Sequence, residues 1–87
     1  MVKKQIRTYV ALTEVDKETG KHTAFLPDID AVLTQGDDLE ETIRNMHNAL
    51  NLWVNHISKE GKSLPEPKYQ PSDAPSGTQT FEVSIKY

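Results

Sequence analysis

The chain has 87 residues, a formal net charge of −3 at pH 7 and no cysteine. This length suits one domain with a modest hydrophobic core, and the 36% apolar and 26% charged residues are typical of a folded globular protein. These numbers exclude disulfides and thiolate zinc sites, no apolar run reaches the roughly 18 residues of a membrane span, and the acidic balance argues against nucleic acid as the main partner.

Three antiparallel strands are predicted in the first half of the chain. Residues 6–14 alternate between two faces, and a polar loop leads into a second strand over residues 21–26. Pro27 ends that strand because it has no N–H for the ladder. An acidic turn over residues 28–30 precedes a short third strand over residues 31–35. The first strand is expected to carry Ile6, Thr8, Val10 and Leu12 on one face and Arg7, Tyr9 and Ala11 on the other.

A long amphipathic helix is predicted over residues 38–60. Asp38 is a suitable N-cap with Glu41 three residues later, and acidic residues fill the first turn, where the helix dipole favours them. Lys59 in the last turn and Gly61 just beyond it are typical of a helix C-terminus. At about 100° per residue the apolar positions form one stripe. Its members are Leu39, Ile43, Met46, Leu50, Trp53, Val54 and Ile57.

A proline-rich segment and a fourth strand complete the chain. Four of the five prolines lie in residues 63–77, which excludes a helix or a central strand there. Residues 78–87 alternate again and predict a half-buried strand, with Tyr87 on its apolar face. The predicted fold class is α+β, with the order β-β-β-α-β and one helix packed on one face of a four-stranded sheet. The last strand is expected beside the first and parallel to it, which leaves Tyr9 and Ala11 on the uncovered face.

No residue pattern predicts catalysis, a cofactor or a metal site. His47 and His56 lie on opposite sides of the helix axis, and His22 lies in another element. No serine stands in a nucleophile motif, and the glycines are isolated. The acidic residues between 28 and 41 could be read as a two-metal nuclease site, but helix initiation and turn formation explain most of them. We therefore expect a protein that is not an enzyme.

Residues 25–50 resemble the HicB-type antitoxins. That family shows a strand ending in Phe-Pro-Asp, a strand ending in Thr-Gln-Gly-Asp and a helix opening with Leu-Glu-Glu. Gly61 and residues 64–67 resemble the segment that follows the helix in the family. The likeness covers residues 6–67 directly, and the last strand lies where the family has its fourth strand. The matching positions are Leu26-Pro27-Asp28, Thr34-Gln35-Gly36-Asp37 and Leu39-Glu40-Glu41.

The resemblance implies a partial RNase H-like fold without the nuclease carboxylates, in a single HicB-like domain over residues 1–87. It also implies an antitoxin that neutralises a HicA-type toxin, a small basic ribonuclease that cuts messenger RNA, by covering its active and RNA-binding surfaces. Homodimers and tetramers are common in the family. Many members carry a C-terminal DNA-binding domain, but this chain stops at the fourth strand, so direct DNA binding is not expected.

The acidic residues between 28 and 41 are interpreted as a docking surface for a basic partner, because complementary charges speed and orient association. We expect the contacts at Asp28, Asp30, Asp37 and Glu40. Two alternatives stay open: an orphan homo-oligomeric domain with a structural or regulatory role and no toxin, and a metal-dependent nuclease. The lack of cysteine and of an N-terminal apolar segment leads us to expect a cytoplasmic protein.

Overall fold

The computed structural model describes residues 6–86 as a four-stranded antiparallel sheet with one α-helix against one face. The elements are β1 (Ile6–Val15), β2 (His22–Leu26), β3 (Ile29–Gly36), α1 (Leu39–Lys59), a short 3-10 helix (Pro71–Asp73) and β4 (Thr80–Lys86). The strand order is β3-β2-β1-β4, which places β1 inside the sheet and β3 and β4 at its edges. The predicted α+β class and the β-β-β-α-β order are confirmed.

The first three strands form the predicted meander. β1 and β2 pair with Leu12 opposite Phe25, and β2 and β3 pair with Phe25 opposite Leu33. β3 is longer than predicted: it runs from Ile29 to Gly36, whereas the prediction covered residues 31–35. The acidic turn is therefore shorter than expected, and Asp30 lies in a strand instead of a turn.

The last strand lies beside β1 as predicted, but the expectation that it runs parallel to β1 was wrong. The two strands are antiparallel, with Thr80 opposite Leu12 and Lys86 opposite Ile6. Helix α1 carries the chain back along the sheet by about 31 Å at 1.5 Å per residue. Residues 60–79, which we call the connector, then run along the sheet a second time before β4 begins. Tyr87, predicted as part of this strand, lies outside the described residues.

Helix α1 begins and ends where the sequence predicts. The Asp38 carboxylate accepts the Glu41 N–H at 2.7 Å and caps the N-terminus. At the other end Gly61 has a φ of +74°, and the Lys62 N–H reaches the Ile57 carbonyl at 3.0 Å. These bonds satisfy main-chain groups that the helix itself leaves unpaired.

The hydrophobic core lies between α1 and the sheet face that carries Tyr9 and Ala11. Both residues are fully buried, together with Met46 and Leu50 of the helix stripe. The prediction that Tyr9 and Ala11 lie on the uncovered face was therefore wrong. Both faces of β1 are apolar, so the alternation separates the faces without indicating which one the helix covers. The opposite face carries Ile6, Thr8, Val10 and Leu12.

Candidate partner-binding surface

The predicted contact residues lie at the two ends of edge strand β3. Asp28 and Asp30 flank its first residue, whereas Asp37 and Glu40 follow its last residue, Gly36. At a rise of about 3.3 Å per residue, the ends of this strand are about 23 Å apart. The acidic residues therefore form two groups along one side of the sheet and not a single cluster.

Asp28 differs from the other three because its carboxylate is used inside the protein. It is half-buried, and its Oδ2 accepts the backbone N–H groups of Lys68 and Tyr69, both at 3.0 Å. Hydrogen bonds to an ionised carboxylate are about twice as strong as neutral ones. Asp28 therefore fastens the connector to the turn between β2 and β3.

Asp30, Asp37 and Glu40 are exposed to solvent. The Glu40 carboxylate lies 4.0 Å from the Arg44 guanidinium, but its side chain is 88% exposed, so this pair contributes little. No basic residue occurs between positions 28 and 41. These carboxylates therefore present negative charge outward.

An apolar side chain lies between the two acidic groups. Leu33 is 64% exposed and stands opposite the half-buried Phe25. In the described residues β3 pairs only with β2. On its outer side the Asn45 side-chain amide donates to the Gln35 carbonyl at 2.8 Å, and the rest of that edge is able to accept another strand. We call β3 with Asp30, Leu33, Asp37 and Glu40 the acidic edge. Sequence reasoning missed Leu33, because alternation alone does not indicate which strand lies at an edge.

A second anchor holds the start of the connector. Arg7 Nη1 donates to the carbonyls of Leu64 at 2.8 Å and Pro65 at 3.3 Å, and Nη2 lies 3.4 Å from the Glu66 carboxylate. The Tyr9 hydroxyl also donates to the Pro65 carbonyl. Burial raises the pKa of Tyr9 above its ordinary value of 10.0, and the neighbouring Arg7 guanidinium opposes that rise. No local pattern of residues indicates these contacts, because the partners are more than fifty residues apart in the chain.

Within residues 6–86 the side chains form no group of three or more His, Asp or Glu that could hold a metal ion. No cavity for a small molecule is found in the same range. No helix in that range is both long enough and apolar enough to span a membrane. The features described above instead suit contact with a macromolecule over an open surface, through charge, an edge strand and an exposed leucine.

Comparisons with known proteins agree with this arrangement. A family model described as the HicB-like antitoxin of bacterial toxin-antitoxin systems matches residues 9–79. The UPF0150 protein ssr1765 of Synechocystis sp. (strain ATCC 27184 / PCC 6803 / Kazusa) is 35% identical over 63 residues, which are 72% of this chain and 78% of that protein. No solved structure matches significantly. Because the family match extends from β1 through α1 to the end of the connector, the chain belongs to the HicB-like antitoxin family of bacterial toxin-antitoxin systems.

Proposed function

We propose that this protein is an antitoxin that binds a HicA-type toxin, a small basic ribonuclease that cuts messenger RNA, in the cytoplasm. Membership of the HicB-like family supports an antitoxin role in general. The observation that carries the more specific proposal is the acidic edge, where exposed carboxylates at both ends of β3 flank Leu33. A protein that binds RNA presents a basic surface, and opposite charges speed association and fix orientation.

The acidic edge offers three kinds of contact to such a toxin. The outer main-chain groups of β3, apart from the Gln35 carbonyl that Asn45 already bonds, can pair with an extended segment of the partner. Leu33 supplies apolar contact at the centre of the strand. Asp30, Asp37 and Glu40 can pair with the lysines or arginines that otherwise bind RNA phosphates. The toxin's active and RNA-binding surface would then be covered without any reaction by the antitoxin.

Asp28 has an indirect role in this proposal, because its carboxylate already accepts two N–H groups of the connector. It holds the turn from which β3 begins and so helps to fix the position of the acidic edge. The net charge of −3 and the exposed carboxylates disfavour DNA as a ligand. We therefore propose that neutralisation occurs by contact with the toxin and without DNA binding by this domain.

The test is charge reversal, with binding measured to the HicA-type toxin that the proposal requires. We expect Asp30→Lys with Asp37→Lys to weaken the complex by about ten- to a hundredfold, at about 1 kcal/mol or more for each reversed charge. The same variant should lose protection of messenger RNA in a cleavage assay. Affinity is measured by titration calorimetry at two salt concentrations, because the loss should shrink as salt rises.

The matched control reverses two exposed acids away from the acidic edge, Glu14→Lys with Glu18→Lys, and changes the net charge equally. It should bind the toxin nearly as tightly as the wild type. Equal losses in the two variants would mean that only overall charge matters, and no loss in either would refute the acidic edge as the contact surface.

A homo-oligomeric domain with no toxin is the alternative function. It is favoured by β4, which within residues 6–86 pairs only with β1 and is able to accept another strand. Affinity purification of the tagged protein from its native host separates the two. Recovery of a small basic protein supports the antitoxin role. Recovery of the bait alone, with no binding to any toxin encoded nearby, favours the alternative.

A further inference from the structure

The outer side of β3 is regular over only part of the strand. Leu33 stands opposite Phe25, whereas Ile29 stands opposite Leu26, so residues 30–32 have no counterpart on β2. A bulge of this kind bends the strand and interrupts its pairing. The part of the edge that another strand can extend therefore begins at Leu33.

One hydrogen bond in the β1–β2 hairpin determines which main-chain groups of β3 point outward. The Asp16 N–H donates to the Lys21 carbonyl at 2.9 Å, and these two residues continue the register of β1 with β2. Because bonded and non-bonded pairs alternate along an antiparallel ladder, the odd-numbered residues of β2 bond to β1 and its even-numbered residues bond to β3. In the regular part of β3 the even-numbered residues receive these bonds. The main-chain groups of Leu33 and Gln35 therefore point away from β2.

The Asn45 side chain occupies one of these outward groups. Its Nδ2 donates to the Gln35 carbonyl at 2.8 Å, as expected for a carbonyl directed away from β2. Asn45 lies in the second turn of α1, which packs against β3. A strand that continued along β3 beyond Gln35 would have to displace this amide. Asn45 therefore closes the edge at one end, and the bulge closes it at the other.

Between these two ends, within residues 6–86, the open main-chain groups are the Leu33 N–H, the Leu33 carbonyl and the Gln35 N–H. We call these groups, together with the Leu33 side chain, the Leu33 site. That side chain is 64% exposed and continues an apolar row on the sheet face away from α1, which runs from Leu12 through Phe25. An apolar residue placed opposite Leu33 would extend this row and bury it.

We propose that the partner fills the Leu33 site with one short extended segment, and that Asn45 fixes the register of this segment. The inference rests on the proposed function, because it takes the partner to be the basic toxin. The open groups of the site require the main-chain groups of about three partner residues, in either strand direction. An apolar side chain stands opposite Leu33, and the residues beyond the segment do not pair with β3.

The exposed acids at the ends of β3 determine what flanks the apolar residue of the segment. Asp30 lies three residues before Leu33 and Asp37 four residues after it, which corresponds to about 10 and 13 Å along the strand. Lysine or arginine on both sides of the apolar residue therefore meets a carboxylate, whereas acidic side chains there are repelled. The recognised segment is thus extended, apolar at its centre and basic at both ends.

The first test is amide hydrogen exchange, followed by NMR, on the full chain alone and with a saturating amount of a HicA-type toxin. In the free protein the Thr34 amide should exchange slowly, because it bonds to β2, and the Leu33 and Gln35 amides should exchange rapidly. With the toxin, exchange at Leu33 and Gln35 should slow by about tenfold or more.

The outcomes of this test separate the inference from the proposed function. If no toxin binds, both are wrong. If the toxin binds but leaves the exchange of Leu33 and Gln35 unchanged, only the inference is overturned, because the toxin then uses side chains of the acidic edge or another surface. Slow exchange at Leu33 in the free protein also overturns it, since the site would already be occupied.

A pair of variants tests the main-chain bond at Gln35. Gln35→Pro removes an outward N–H but none of the bonds to β2, whereas Gln35→Ala removes only the side chain. We expect Gln35→Pro to weaken toxin binding by about tenfold or more relative to Gln35→Ala, which should stay within a few fold of the wild type. Circular dichroism checks the fold, and if Gln35→Pro does not fold, the exchange experiment decides. Equal affinities of two folded variants would contradict pairing at this group.

The role of Asn45 has its own readout, the Leu33 amide signal in the NMR spectrum of the complex. Asn45→Ala opens the Gln35 carbonyl, so the bound segment can shift along β3, and the Leu33 signal should split or broaden. Asn48→Ala, an exposed change of the same kind on α1, should leave the single sharp signal of the wild-type complex. A single sharp signal in the Asn45→Ala complex would show that Asn45 does not fix the register.

Discussion

Gly36 is the residue at which close contact leaves no room for a side chain. A Cβ built on it would lie 2.5 Å from the Thr42 hydroxyl oxygen and 2.7 Å from the Thr42 main-chain nitrogen. Thr42 itself is fully buried and donates to the Asp38 carbonyl at 2.7 Å, so it has no freedom to move aside. Close packing thus explains the glycine of the Thr-Gln-Gly-Asp motif, because the end of β3 contacts the first turn of α1.

We predict that Gly36→Ala lowers the free energy of unfolding by about 3 kcal/mol, the upper part of the range for overpacking. Urea denaturation followed by circular dichroism measures this change. The control is Gly20→Ala, since Gly20 has a φ of +75° and nothing within 4 Å of the added Cβ. Its cost is conformational only and should be about 1 kcal/mol. Equal losses in the two variants would contradict the steric account.

The Tyr9 side chain makes the free energy of unfolding depend on pH in the alkaline range. Because burial raises the pKa of Tyr9 above 10.0, the folded state holds the phenol proton more firmly than the unfolded state does. This contribution is complete below pH 10 and is lost as the pH rises through the raised pKa. We expect the unfolding free energy to fall less steeply above pH 10 in Tyr9→Phe than in the wild type, in urea titrations at several pH values. The same slope above pH 10 in Tyr9→Phe and in the wild type would contradict this account.

At the scale of elements, the predictions that are confirmed rest on residues that lie close together in the chain. Helix α1 could be placed to within one residue because its cap, its acidic first turn and its glycine end are local. The direction of β4 could not be predicted, because it depends on a connector that is fixed by contacts with Arg7 and Asp28, far away in the sequence. Periodicity also left open which face of β1 the helix covers.

The connector yields a prediction at this scale. Asp28→Ala removes the acceptor of two main-chain N–H groups, so we expect a loss of about 2 kcal/mol in unfolding free energy and faster proteolytic cleavage of the connector. Limited proteolysis with mass spectrometry locates the cleavage. Asp30→Ala, two residues away and exposed, should change stability by no more than about 0.5 kcal/mol. A connector that stays protected in Asp28→Ala would show that Arg7 and Tyr9 suffice to hold it.

At the scale of the whole molecule, the two edge strands of the described sheet, β3 and β4, differ in charge. One edge carries the acidic groups of β3, and the other, β4, carries one acidic and one basic residue, Glu82 and Lys86. The run of acids was visible in the sequence, but its division into two groups follows from the length of β3. The use of Asp28 inside the protein follows from the return of the connector to the turn before β3. Neither could be predicted without the fold.

The position of β1 has a consequence for how the chain becomes folded. β1 lies inside the sheet, yet one of its neighbours comes from the opposite end of the chain, with Ile6 beside Lys86. Local contacts form quickly, whereas contacts between distant residues must first close a long loop. A chain made from its N-terminus can assemble β1, β2, β3 and α1 while one side of β1 and part of the core still lack a cover. Pairing of β4 with β1 is therefore the step that ends the period in which each new molecule is prone to aggregation and sensitive to proteases.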